Sequence, residues 1–376
     1  MKIQFKKDRK FMSIRTALVA ASFSMLLTLL VACGGYSSKT SPPATTASAS
    51  QFAYVSNSFD NTISSYSMDQ TTGKLQAIST VSTGGIRPFS VLADPSAHFL
   101  FAGNFNSGNI SAFSIDAKTG TLTAVGAPVA TGTGPRSLAI SPNGSFLYAS
   151  NQNSNTVSEF SVNTTTGALT PVGTVATGPI PFSTAVDPTG RFVYVVTRGD
   201  DSVWAYRIDA TTGTLTQIGD PVDGGIGPNA VTIHPSGKFA YVAAGTGTLE
   251  EFSIDATTGA LTHVAAVPSG VNAVSLTIDT AGRFAYVANF NDSSISVFSI
   301  NQTTGNLTAV DTTSTGSNPT SVIVDPTGHF AYSANFGSND VSMFSIDATT
   351  GKLTSVASPA ATGTDPVSVF AIRKVQ

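Results

Sequence analysis

Charge is scarce in this chain. Only 11% of its 376 residues are Asp, Glu, Lys or Arg. That does not signal disorder, because hydrophobic residues make up 41% and recur in register. Low charge instead suits sheets that are covered on both faces. Cysteine occurs once, at Cys33, and histidine four times. There is no Cys/His zinc pattern, no phosphate-binding glycine loop and no Gly-x-Ser-x-Gly elbow. Asp200-Asp201 and Asn291-Asp292 lack the ligand spacing of a calcium cage. No metal and no cofactor is therefore expected. No helix signal competes anywhere after residue 50.

What is present is repetition. A Thr-Gly pair ends at Gly73, Gly120, Gly167, Gly213, Gly259, Gly305 and Gly351, at intervals of 47, 47, 46, 46, 46 and 46 residues. Self-similarity at a fixed spacing of about 20–50 residues marks a repeat architecture, and it overrides the two-domain expectation that length alone would give.

One copy shows the unit. Arg283–Asn289 is a short apolar strand, Ile295–Ile300 a second, Leu307–Val310 the start of a third and Ser321–Val324 a fourth. Asp325-Pro326-Thr327-Gly328 suits a type I turn, and Asp187-Pro188-Thr189-Gly190 repeats it. The Asp-x-Thr-Thr-Gly segments, such as Asp255–Gly259 and Asp347–Gly351, supply hairpin loops whose glycine can take positive φ. Phe284 and Tyr286 point one way and Val287 the other, so each sheet is apolar on both sides and needs a neighbour on both sides. Radial stacking meets that need. The repeat length is close to that of WD40-like blades. We therefore expect an all-β, seven-bladed β-propeller with four antiparallel strands per blade, over residues 51–376. Ring closure is also legible. Phe52–Val55 matches a second strand and Pro366–Ile372 an innermost one, so the tail should complete the blade that the first strands begin.

Phe52-Ala53-Tyr54-Val55-Ser56-Asn57, Phe284–Asn289 and the Pro-x-Ser strands resemble YVTN-type repeats. More broadly, residues 51–376 resemble the propeller lactonases, the 6-phosphogluconolactonase-like and carboxymuconate-cyclising family. That resemblance implies a central cleft in which an Arg, a Glu and a His serve lactone chemistry. Gly134-Pro135-Arg136-Ser137 matches part of the pattern, and Arg136 is the one catalytic candidate it offers. The position after it, His in the family's enzymes, is Ser137 here. His98 and His329 stand where other copies have Arg or Lys, His234 replaces a turn Asp and His263 falls on an outer strand. Glu159, Glu250 and Glu251 all lie in third-strand regions. No acid–base residue can be assigned from this set.

The loops entering the innermost strands should rim the central channel. Their variable positions are Arg87, Phe89, Arg136, Phe182, Asn229, Thr320 and Val367, and Gly270–Ala273 departs from the pattern by lacking its proline. Copies that agree elsewhere and differ here mark either a ligand site or drift in exposed loops. Asn57, Asn104, Asn151, Asn289 and Asn335 recur at one strand end and are expected to cap turns. Trp204 is expected to pack, and the Arg198-Gly199-Asp200 tripeptide to be a coincidence of composition.

The N-terminus is a different kind of segment. Lys2, Lys6, Lys7, Arg9, Lys10 and Arg15 precede an apolar run, Ala17–Ala32, which fits a secretory signal over residues 1–32. Leu30-Val31-Ala32-Cys33 resembles the bacterial lipobox, which implies lipidation of Cys33; ordinary cleavage near Ala32 with a leftover thiol is the alternative. Gly34 after the cysteine leans towards the outer membrane. Residues 33–50, rich in Ser, Thr, Pro and Ala, form a tether. Removal of the signal takes six basic residues and Asp8, leaving 13 basic against 21 acidic. An acidic body with no basic run excludes nucleic acid as a natural partner. The expected protein is exported, lipid-anchored in the bacterial cell envelope and monomeric. It is either a scaffold that binds a protein or small molecule at its channel face, or a hydrolase of an extracytoplasmic lactone.

Overall fold

The computed structural model describes residues 50–374. The signal segment, Cys33 and the tether up to residue 49 lie outside them. Every regular element is a β-strand, and the strands form seven antiparallel sheets. The seven innermost strands (Pro88–Ala93, Pro135–Ile140, Pro181–Val186, Pro228–Ile233, Ala273–Ile278, Pro319–Val324 and Pro366–Lys374) each touch the next and close a ring. The repeat visible in the sequence is offset from the blade by one strand: Pro319–Val324 follows the third sheet strand of one unit but pairs with Phe330–Asn335 of the next. The same offset closes the circle. Pro366–Lys374 pairs with Ser50–Asn57, with Phe52 opposite Ile372 and Val55 opposite Val369. The closing blade therefore holds both ends of the described chain. In three blades the outermost strand is split into two short pieces, as at Leu122–Ala124 and Val129–Ala130.

In six blades the second strand is buried at every position, for example Phe284–Asn289 and Phe192–Thr197, and in the closing blade at every position but Ser50. Its two faces serve two different interfaces: Phe284 and Tyr286 pack into one cluster, Ala285 and Val287 into another. That is the physical basis of the ring, since each sheet can satisfy both faces only between two others.

The Thr-Gly turns turn out to do more than reverse the chain. Gly259 has φ of 81°, a conformation that suits glycine. It also lies flat against the ring of Phe192, from the preceding blade, so that a Cβ would overlap the aromatic carbons. The same contact recurs at all seven Thr-Gly turns, including Gly73 against Phe330 across the closure. Next to it, Tyr194 Oη donates to the Gly259 carbonyl at 2.9 Å, and Tyr332 Oη to that of Gly73 at 2.8 Å. Six blade interfaces carry this tyrosine bond. In the seventh, Phe101 occupies the tyrosine position and lacks the hydroxyl, facing the Gly167 turn. Phe101→Tyr should therefore supply the missing bond and raise unfolding free energy by about 1 kcal/mol. Urea denaturation reads the change, and a loss of stability would show that this interface does not share the geometry of the others.

The recurring asparagines are wholly buried and cap loops. Asn57 Nδ2 donates to Thr62 Oγ1 and Ser64 Oγ, and its Oδ1 accepts from the Gly363 amide. The strands run alternately up and down, so the loops after the second and fourth strands share one face of the disc. The Asp-Pro and Thr-Gly turns share the other. Ser50 and Lys374 lie on the turn face.

Candidate functional site: the channel mouth

Each inner strand is entered through one residue just before it and then opens on three residues, of which the middle and the third have distinct jobs. The residue before the strand has positive φ in all seven blades: Arg87, Gly134, Ile180, Gly227, Asn272, Asn318 and Asp365. Its carbonyl commonly accepts the amide of a residue in a neighbouring loop, as Arg87 does from Phe105 and Ile180 from Arg198. Positive φ on a β-branched residue such as Ile180 is a strained backbone, and such strain gathers at functional rims. The third position is serine in six blades. Ser90, Ser137, Ser183, Ser275, Ser321 and Ser368 each accept, through Oγ, a backbone N–H from the next inner strand at 3.1–3.3 Å. Ser137, at the position where the resemblance implied a catalytic His, is thus one stitch in a ring that ties the blades together.

The middle position faces the channel. Phe89, Arg136, Phe182, Asn229, Val274, Thr320 and Val367 line a cavity of about 190 Å³ together with the serines. Arg136, Phe89, Phe182, Asn229, Thr320 and Val367 are brought together as the sequence register placed them. Arg87 sits above them on the lip, exposed, between Ile86 and Pro88. Val274 was missed because its blade lacks the proline that marks the register in the others; counting one residue past Ala273 finds it.

The chemistry of the lining is lopsided. Counting the closing blade as one, blades two to four are those whose inner strands begin at Pro88, Pro135 and Pro181, and on them arginines and phenylalanines interleave. The Arg136 guanidinium carbon lies 3.5 Å from the centroid of Phe182 and 5.0 Å from that of Phe89. Arg198 lies 4.7 Å from Phe182, and Arg87 lies 5.2 Å from Phe89, which itself packs on Phe105 at 4.8 Å. Each such contact contributes about 0.5–2 kcal/mol depending on desolvation. Arg198 was passed over in the sequence because it belonged to a tripeptide with no repeat register. Its strand-end position, one residue after the Asn cap of other blades, is the signal that locates it.

None of these three arginines has a carboxylate partner among the described residues. Burial, then the charges of Arg198 and Arg87, push the Arg136 guanidinium down to about 9. It remains cationic at neutral pH, but its charge is poorly compensated. The other side of the ring is neutral: Asn229, Val274, Thr320 and Val367.

Among the described residues no Asp, Glu or His lines this cavity. His98 and His329 are exposed at turns, bonded to Ser96 and Thr327. His234 is buried between Ser236 and the Gly282 carbonyl. His263 pairs with Glu250 at 2.9 Å on an outer strand. Glu159 and Glu251 accept the Leu215 and Leu307 amides of the adjacent blade, and burial raises the Glu159 carboxyl. The acid–base groups of the fold thus serve its interfaces. Among the described residues no cluster of three metal-ligating side chains exists. Asp200 accepts from Thr197 Oγ1 and Arg198 leans on Phe182, so the Arg-Gly-Asp tripeptide is folded into the lip. Five exposed apolar side chains (Phe59, Ile86, Ile180, Ile226 and Val271) stand on loops of this same face.

Comparison with known proteins agrees with the geometry at the level of the fold. A candidate 6-phosphogluconolactonase from Bacteroides fragilis is 22% identical, with a TM-score of 0.77 over 88% of this chain and 100% of its own. The periplasmic gluconolactonase of Pseudomonas aeruginosa is 20% identical, with a TM-score of 0.75 over 86% and 99%. A Lactobacillus plantarum protein is 23% identical, with a TM-score of 0.77 over 86% and 100%. At these identities the likeness concerns the fold. No curated protein sequence matches the chain significantly. The family model of the seven-bladed β-propeller lactonases matches residues 20–133, 125–185 and 183–370, and the chain belongs to that family.

Proposed function

We propose that the channel mouth binds a small organic anion and that the protein acts as a binding scaffold rather than a hydrolase. The observation that carries this reading is the channel lining itself: a half-buried arginine stacked between two phenylalanines, two further arginines beside it, and no carboxylate or imidazole. A guanidinium held by ring faces offers its N–H edges to a carboxylate or phosphate. Hydrolysis would also need a group to take a proton from water, and the lining has none in reach. Titration of the protein with small carboxylic acids and inorganic phosphate, followed by calorimetry, tests the reading; heat independent of Arg136, or no heat at all, would defeat it.

A second reading is lactone hydrolysis. Family membership favours it, as does Arg136, which stands where a lactone carbonyl could be polarised. A panel of sugar lactones decides between the two, because turnover that vanishes in Arg136→Gln belongs to an enzyme.

We also propose export and anchoring through Cys33, supported by the basic-then-apolar N-terminus and the Leu30–Cys33 motif. Ser50 lies on the face of the disc opposite the mouth. Cells fed labelled palmitate should mark the wild type and leave Cys33→Ser unmarked. Equal incorporation removes the anchor.

A further inference from the structure

The ring of serine stitches has one gap, and the gap exposes a specificity element. At blade five the serine position is Ala230. Two neighbours take over the stitching. Thr232 Oγ1 donates to the Leu276 carbonyl at 2.7 Å, and Asn229 Nδ2 donates to the Ala273 carbonyl at 2.8 Å. A carbonyl can only accept, so the amide orientation of Asn229 is dictated by its partner. Its nitrogen is committed to the protein, with a weaker approach to Asn272 Oδ1 at 3.5 Å. Its oxygen has no protein donor among the described residues. Yet Asn229 is only 4% exposed and lines the cavity that holds Arg136. That oxygen is not sealed away: it keeps access to the cavity, where water serves it until a ligand displaces that water.

Resting on the anion-binding reading above, we propose that Asn229 makes the channel selective for acids that carry a hydrogen-bond donor, a hydroxyl or N–H group, away from the acid group. Arg136 on blade three takes the anion. The Asn229 oxygen on blade five takes the donor. Phe89, Phe182, Val274 and Val367 accept the carbon chain between them. The neutral half of the ring is thereby given a purpose that the cationic half does not explain. An acid without the donor leaves the amide oxygen unpaired in a site that it has dried, and discrimination follows from that penalty.

The test uses matched pairs of linear acids with four, five and six carbons, each as the plain alkanoate and as the terminal hydroxy acid. Calorimetry on the wild type should show at least one hydroxy acid binding about tenfold tighter than its alkanoate, the effect of one buried hydrogen bond. The double variant Asn229→Leu/Ala230→Ser removes the acceptor and restores the serine stitch of the other six blades, which protects folding. It should bring the ratio to one or below, with alkanoate affinity rising because no amide oxygen is left unpaired. Thr232→Val cuts the neighbouring stitch but keeps the Asn229 oxygen, and it should retain the discrimination. A merely structural Asn229 would behave the other way. Equal affinity within every pair in the wild type, or discrimination that survives loss of Asn229, overturns the proposal. Absence of any Arg136-dependent acid binding would instead be the failure of the underlying reading, and this inference would fall with it.

Discussion

Arg136→Gln should weaken binding of any carboxylic acid at the channel by about 100-fold, the worth of a charge-assisted bond in a desolvated site. The same substitution should raise the stability of the unliganded protein by about 1–2 kcal/mol, because a poorly compensated charge next to two others is relieved. Loss of binding with gain in stability is the mark of a site held ready at a cost. Arg191 provides the control. It stacks on Phe192 and bonds the Ala256 carbonyl on the turn face, so Arg191→Gln should leave acid binding untouched. A calorimetric titration and a thermal melt of the three proteins read both effects. Destabilisation of the unliganded Arg136→Gln protein would mean that the stacking on Phe182 outweighs the charge penalty.

Gly259→Ala should be among the most damaging single-methyl changes in the ring. Two penalties add. The backbone at φ of 81° disfavours a side chain by roughly 1–2 kcal/mol, and a methyl driven into the buried Phe192 ring costs about 1–3 kcal/mol more. Gly126 separates the two. It also has positive φ, at 64°, but nothing lies within 4 Å of where its Cβ would be. Gly126→Ala should therefore lose only the backbone share. Urea unfolding of the pair reads the difference, and equal losses would show that the Phe–Gly contact contributes nothing to holding adjacent blades.

The sequence made the fold legible because the fold repeats. Seven Thr-Gly pairs fix blade number, and the mismatch between Phe52–Val55 and Pro366–Ile372 fixes the closure. What repetition could not show is why Gly259 and its counterparts recur. A turn needs a glycine for φ, but the contact with Phe192 is 67 residues away in the chain and belongs to another blade. The channel was legible for the complementary reason. Positions that repeat are scaffold, so Phe89, Arg136, Phe182, Asn229, Thr320 and Val367 stood out by differing. Val274 was hidden by a missing proline and Arg198 by lying outside the inner strands. The stacking of Arg136 between two phenylalanines was also invisible, since it joins residues about 46 apart whose approach only the ring geometry sets. Chemistry was the least legible: the resemblance implied a cleft served by an Arg, a Glu and a His, whereas the histidines and glutamates of this chain are spent on turns and blade contacts.

The most direct test is one proton NMR experiment on a sugar lactone and its free acid, mixed with the protein and followed over time. The account predicts that the acid signals broaden or shift in a way that Arg136→Gln abolishes, while the lactone disappears no faster than in buffer. Lactone turnover by the wild type that is lost in Arg136→Gln would contradict it.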